Sequence, residues 1–181
     1  MRRADLEHII RAAAAIAEDD DIIIIGSQAI LGQFPDAPVA LCVSIEADVF
    51  PRHHPERADL IDGAIGEESP FHHTFGYYAQ GVDERTATLP DGWKDRLVPV
   101  RGPGTRGATG WALEVHDLLV SKYVAGRDKD QAFTATAAAL GLADPATLRT
   151  RLAATALDDA LRPIVEGRLR ADYPGMRADG S

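Results

Sequence analysis

Ile22-Ile23-Ile24-Ile25-Gly26-Ser27, with Ser44-Ile45-Glu46-Ala47-Asp48-Val49-Phe50 further along, is the sequence on which the fold turns. The isoleucine run is too short for a buried helix and is ended by Gly26, so it reads as a strand buried on both faces. Ser27 is placed to cap the helix that follows, from Gln28 to about Phe34, which Pro35 and Pro38 stop. Val39 to Phe50 is strand-like again, and Pro51 ends it. On such a strand Glu46 and Asp48, at i and i+2, project from one face, while Ile45, Ala47 and Val49 face the core. Like charges side by side repel unless a cation offsets them, and Mg²⁺, which takes one or two carboxylates together with substrate phosphates, suits that spacing. For the pair alone, a solvated face of an edge strand is the other reading. The turn through Gly26-Ser27 into a helix offers backbone N–H groups and a hydroxyl to a phosphate. It also serves as an ordinary connection, with glycine for the turn and serine for the cap.

Outward from this stretch the chain alternates helices and strands. Asp5 to Glu18 carries apolar residues at helical spacing, and Asp19, Asp20 and Asp21 separate that helix from the isoleucines. Pro55 to Ile65 reads as a helix closed by Gly66, Phe75 to Val82 as a strand, and Leu89-Pro90-Asp91-Gly92 as a turn. Leu97 to Val100 and Trp111 to Val115 are further strands, with a flexible glycine-rich loop, Gly102 to Gly110, between them. His116 to Gly126, Lys129 to Leu140, Pro145 to Ala154 and Leu157 to Leu169 are helices. The fold class is therefore α/β (α+β): a small mixed β-sheet flanked by helices, with a helical C-terminal part. Residues 1–115 form the α/β core, 116–173 a helical bundle packed on it, and 174–181 a frayed tail.

Composition narrows the class. With 181 residues, 45% hydrophobic and 26% charged, the chain has the makeup of an ordinary globular domain with enough apolar content for a core. No apolar run approaches the eighteen or so residues that cross a bilayer, and the N-terminus lacks the apolar core of a secretory signal, so a cytoplasmic protein with no membrane partner is expected. A net charge of -9 argues against long-range attraction to nucleic acid or an anionic membrane. The single cysteine, Cys42, excludes an internal disulfide and reads as a small buried strand residue. The pairs His53-His54 and His72-His73 read as surface loop residues, because sequence neighbours seldom aim at one metal. Gly102 to Gly107 lacks the Gly-Lys-Ser/Thr ending of a P-loop.

An apolar strand, Gly26-Ser27, a short helix, and then Glu46-Ala47-Asp48 on a strand resemble the signature of the DNA polymerase β-type nucleotidyltransferase superfamily. Leu113 to Lys122, continued by Ala125-Gly126-Arg127-Asp128-Lys129-Asp130, resembles a bacterial branch related to the AbiEii-type toxins, as do Gly81-Val82-Asp83 and Leu89 to Trp93. The resemblance runs from about Ile22 to Phe133. It implies transfer of a nucleoside monophosphate from an NTP to a hydroxyl of RNA, a protein or a small molecule, with Mg²⁺ or Mn²⁺ as cofactor and an antitoxin or other partner protein. By position it implies that Glu46 and Asp48 bind metal, that Gly26, Ser27, Lys122, Arg127 and Lys129 contact the nucleotide, and that Asp83 is the third catalytic acid, with Glu84 or Glu114 as alternatives. Glu46 stands where the superfamily usually has Asp, which lengthens an arm that must hold metal closely. The alternative function is a catalytically silent domain that binds a nucleotide or a partner. For Arg127 and Asp130, a structural ion pair fixing two helices is the competing reading.

Overall fold

The computed structural model describes residues 1–175; the part of the expected frayed tail beyond Gly175 lies outside the described residues. The chain divides into two compact units, one formed by Met1–Ala87 with Lys94–Glu114, the other by Thr88–Trp93 with the chain from Val115 onward. No helix among the described residues is long and apolar enough to cross a membrane.

The first unit holds all five strands of a mixed sheet: β1 (Asp21–Ile24), β2 (Glu46–Pro51), β3 (Tyr78–Gly81), β4 (Val98–Val100) and β5 (Thr109–Ala112), in the order β3-β2-β1-β5-β4. β1 is antiparallel to β2 and parallel to β5; β3 runs parallel to β2, and β4 antiparallel to β5. Four helices belong to this unit: α1 (Arg3–Ala17), α2 (Ile30–Gln33), α3 (Ala58–Ile65) and α4 (Pro70–Phe75). Helix α1 buries Leu6, Ile9, Ile10, Ala13, Ala14 and Ala17, the stripe its helical period dictates. Ile10 packs with Ile24 over Gly110, where a Cβ would collide with both side chains. Each fully buried Leu or Ile contributes about 1.5–3 kcal/mol of transfer free energy, so this stripe fixes one face of the sheet.

The second unit is helical: α5 (Val115–Ala125), α6 (Asp128–Ala139), α7 (Pro145–Ala153) and α8 (Leu161–Asp172). Helix α5 contacts the other three and is buried on most of its positions, apolar and charged alike. The segment Thr88–Trp93 joins this unit through the Asp91 N–H, which donates to the Ala154 carbonyl at 2.9 Å.

The mixed sheet flanked by helices is the fold class expected from the sequence, but several elements differ. Val39 to Phe50 is not one strand: Val39–Leu41 is a 3-10 turn, and β2 begins only at Glu46. Val39 and Val43 are 83% and 74% exposed, so their apolar character marks no core strand. Cys42 lies just past that turn and is half-buried, its Sγ directed at the Ala37 carbonyl. Gly26, not Ser27, is the N-cap of the 3-10 turn Ser27–Ala29 that leads into α2, and no side chain caps it. The aromatic run expected as strand from Phe75 is instead the end of α4, and β3 starts at Tyr78 because Gly76 adopts the left-handed conformation that closes the helix. The loop before β5 is pinned rather than flexible: the Gly104 N–H donates to Glu7 and the Gly104 carbonyl accepts from Arg11.

Candidate functional site

The antiparallel pairing of β1 with β2 makes the site. Ile24 lies opposite Val49, and the Ile25 N–H donates to the Asp48 carbonyl at 3.1 Å. The C-terminal end of β1, where the chain turns through Gly26-Ser27, therefore meets the N-terminal end of β2, which carries Glu46 and Asp48. Along β2 the burial alternates, with Glu46 and Asp48 half-buried and Ala47 and Val49 fully buried, so the two acids share one face.

Gly26 lies against Asp48 so closely that a Cβ on Gly26 would overlap the Asp48 carboxylate. Its φ of -81° and ψ of -167° are open to any residue, so glycine is required here for space and not for backbone conformation. The donors on this face of β2, two carboxylates at adjacent same-face positions, are hard oxygen, a set that suits Mg²⁺ or Mn²⁺ better than a softer metal.

Glu46 is held from two directions. Ser44 Oγ accepts from the Glu46 N–H and donates to the Glu46 carbonyl, both at 3.2 Å. Gln28, fully buried one residue after Ser27, donates through Nε2 to the Ser44 carbonyl at 2.9 Å, tying the glycine-serine turn to the start of the acidic strand. The Tyr78 hydroxyl donates to Glu46 Oε2 at 3.0 Å. Burial, then the hydrogen bond to Glu46, pushes the Tyr78 phenol up to about 12, so the hydroxyl stays protonated as a donor at neutral pH. Gln28, Ser44 and Tyr78 are not among the site residues expected from the sequence. The one local signal was Gln28, a polar side chain amid the apolar residues of a short helix.

Gly26, Ser27, Glu46 and Asp48 are thus brought together, whereas Asp83 is not. β3 is parallel to β2 with Gly81 opposite Val49, and the Val82 N–H donates to the Val49 carbonyl, so the chain reaches Asp83 level with Pro51. That is three strand residues, about 10 Å, past Asp48 and away from Gly26. The Asp83 carboxylate caps the turn Glu84–Thr86 and accepts from Arg85, whose hydrogen bonds hold it below the ordinary carboxylate range. Glu84 pairs with Lys94 at 2.8 Å. Glu114 follows β5, which is parallel to β1 with Ala112 opposite Ile24; it leaves the sheet where Gly26 does. On the neighbouring strand the residues across from Glu46 and Asp48 are Tyr78 and Gln80, neither an acid.

A second group of ligand-type side chains, Asp19, Asp21 and His53, lies at the opposite end of β1, with one ligand atom from each within 4.8 Å of the others. Asp19 is already a structural anchor there. Its carboxylate accepts from the backbone N–H groups of Asp21, His53 and His54 and pairs with His53 Nδ1 at 3.0 Å. Burial raises the Asp19 carboxyl, but the hydrogen bonds from His53 and Asp21 outweigh it and hold the group below its ordinary value. His53 is therefore a partner of Asp19, while His72 and His73 lie on α4 and not on a loop.

In the second unit, Asp130 is fully buried and accepts from Lys122 at 3.0 Å and from Arg127 at 2.6 Å. Lys122 also stands 5.2 Å from the Phe133 ring centroid. Asp130 thus joins the end of α5 to the start of α6, the structural role weighed against nucleotide contact. Lys129 is exposed in the first turn of α6.

The mixed five-stranded sheet flanked by helices, with Gly26 against Asp48, is consistent with a nucleotidyltransferase-like core. The particular family follows from sequence: the family model described as "Nucleotidyltransferase of unknown function (DUF6036)" matches residues 4–164, and the chain belongs to that family. No curated protein and no solved structure matches the chain.

Proposed function

We propose that the protein is a metal-dependent nucleotidyltransferase in which Glu46 and Asp48 hold Mg²⁺ or Mn²⁺ and the Gly26-Ser27 turn receives the phosphates of an NTP. The observation that supports this reading is the close contact of Gly26 with Asp48, so that a cation on Asp48 would lie beside phosphates received at the turn. The bound cation supplies charge neutralisation of the triphosphate and of the in-line transition state at the α-phosphorus. An acceptor hydroxyl oxygen bonds to that phosphorus, the bond to the bridging oxygen breaks, and pyrophosphate leaves. Ser27 and the turn N–H groups orient the phosphates, and Gln28 keeps the turn in register with the acidic strand. For the third acid, which would take the hydroxyl proton, Asp83, Glu84 and Glu114 remain the candidates the resemblance offers; of these, Glu114 leaves the sheet at the level of Gly26. The roles of Lys122, Arg127 and Lys129 as phosphate contacts rest on the family resemblance. So do the AbiEii-type relationship, a toxin–antitoxin role, and an acceptor among RNA, protein and small molecules.

One observation favours a silent, nucleotide-binding relative: β3 places Tyr78 and Gln80, not an acid, opposite Glu46 and Asp48. Incubation with each α-labelled NTP and an RNA, protein or small-molecule acceptor pool separates the two. Active protein transfers the α-label to an acceptor, with release of unlabelled pyrophosphate, only with Mg²⁺ or Mn²⁺, and loses this in Asp48→Asn; metal-dependent NTP binding without transfer supports the silent reading.

A further inference from the structure

Glutamate carries one more rotatable bond than aspartate, and a freely turning carboxylate loses more entropy when a cation fixes it. The register of β2 with β3 places Tyr78 directly across from Glu46. Tyr78 is 8% exposed, and its hydroxyl reaches Glu46 Oε2 at 3.0 Å. The Tyr78 ring is itself held by the His72 ring, 4.7 Å away between centroids. His72 in turn is fixed at two points, its backbone N–H donating to Ser69 Oγ and its Nδ1 accepting the Glu68 N–H. The phenol is therefore a rigid donor aimed at one oxygen of the longer acid.

We propose that Tyr78 is a positioning residue that makes Glu46 a competent metal ligand by fixing the glutamate arm at Oε2 and so setting its carboxylate beside Asp48. The inference rests on the metal reading of the Glu46/Asp48 pair. Carboxylates that bind metal depend on such outer hydrogen bonds, and their loss costs on the order of 10–100-fold in metal affinity. An aspartate at position 46 has an arm one methylene shorter and falls short of the phenol, so Tyr78 and Glu46 belong together as a pair.

The test is Mn²⁺ affinity of the full chain, measured by calorimetry with a non-hydrolysable NTP analogue, and it needs no turnover. Tyr78→Phe removes only the hydroxyl and is expected to weaken Mn²⁺ on the order of 10–100-fold. Tyr77→Phe is the matched control: its hydroxyl bonds His8 Nδ1 at 2.9 Å, and its loss leaves Mn²⁺ affinity within about twofold of wild type. In a Glu46→Asp background Tyr78→Phe adds nothing further, because the shorter acid no longer reaches it. An equal loss in both backgrounds, or a Tyr78→Phe protein that binds as wild type while Asp48→Asn does not bind, overturns the inference alone. Wild-type protein that binds no Mn²⁺, or binds it equally with Asp48→Asn, overturns the metal reading and this inference with it. Should Tyr78→Phe fail to fold, Glu46→Asp carries the test: weaker Mn²⁺ binding is expected, and equal or tighter binding refutes the role of Tyr78.

Discussion

Replacing Gly26 by alanine probes the contact on which the site is built. The backbone at Gly26 is in an ordinary extended conformation, so alanine meets no torsional strain there. Taken alone, the substitution would stabilise the protein by about 0.4–1 kcal/mol through a less flexible unfolded chain. The new methyl, however, falls on the Asp48 carboxylate, and overpacking of this kind costs about 1–3 kcal/mol. The net loss is on the order of 1–2 kcal/mol. At roughly 2–4 °C per kcal/mol for a chain of this size, the melting temperature falls by about 2–8 °C. Because Asp48 must move, Mn²⁺ affinity falls as well. The double variant Gly26→Ala/Asp48→Ala removes the obstacle, and in that background Gly26→Ala becomes neutral or stabilising. Thermal denaturation and Mn²⁺ titration of the four proteins read both effects. If Gly26→Ala melts with wild type and keeps its Mn²⁺ affinity, the carboxylate does not fill the space beside the turn and the geometry argued above is wrong.

Three further outcomes are expected. Asp130→Ala breaks the buried ion pair of Asp130 with Lys122 and its bond to Arg127, at a cost of about 3–5 kcal/mol in urea unfolding; a loss under about 1 kcal/mol contradicts the structural role. Asp19 has a folded-state pKa below its ordinary value of 3.8, so its stabilisation is present above that pH and vanishes as pH falls through the lowered value. The stability gap between wild type and Asp19→Asn is accordingly full at pH 7 and closes below about pH 4; a gap that widens in acid reverses the sign and the argument. Asp83→Ala leaves metal-dependent nucleotide binding and turnover unchanged, since its carboxylate serves the turn with Arg85, whereas Glu114→Gln lowers turnover; the opposite pattern restores Asp83 as the third acid.

Much of the fold was legible because periodicity is local. The isoleucine run after Asp19 to Asp21 formed a strand, and the apolar stripe of α1 formed the helix its spacing required. The alternation along Glu46-Ala47-Asp48-Val49 likewise put both acids on one face. The misread segments were those where apolar residues serve no core. Val39 to Ile45 resembles a strand in composition, yet Val39, Val43 and Ile45 are exposed and β2 pairs only from Glu46. Partners set by register were out of reach altogether. Nothing in Tyr77-Tyr78-Ala79-Gln80 says which residue faces Glu46, because a shift of one position exchanges the faces. For the same reason the sequence did not show that the parallel direction of β3 brings Asp83 level with Pro51, past Asp48 and away from Gly26.

In the proposed site, Glu46 and Asp48 bind a divalent cation together with a nucleotide at the Gly26-Ser27 turn. A thermal-shift titration with each NTP, with and without Mg²⁺ or Mn²⁺, on wild type and Asp48→Asn tests it most directly, since a ligand of the native state raises the melting temperature by mass action. A rise that requires both metal and at least one NTP and is absent in Asp48→Asn is expected; no rise with any NTP, or an equal rise in the variant, refutes the site.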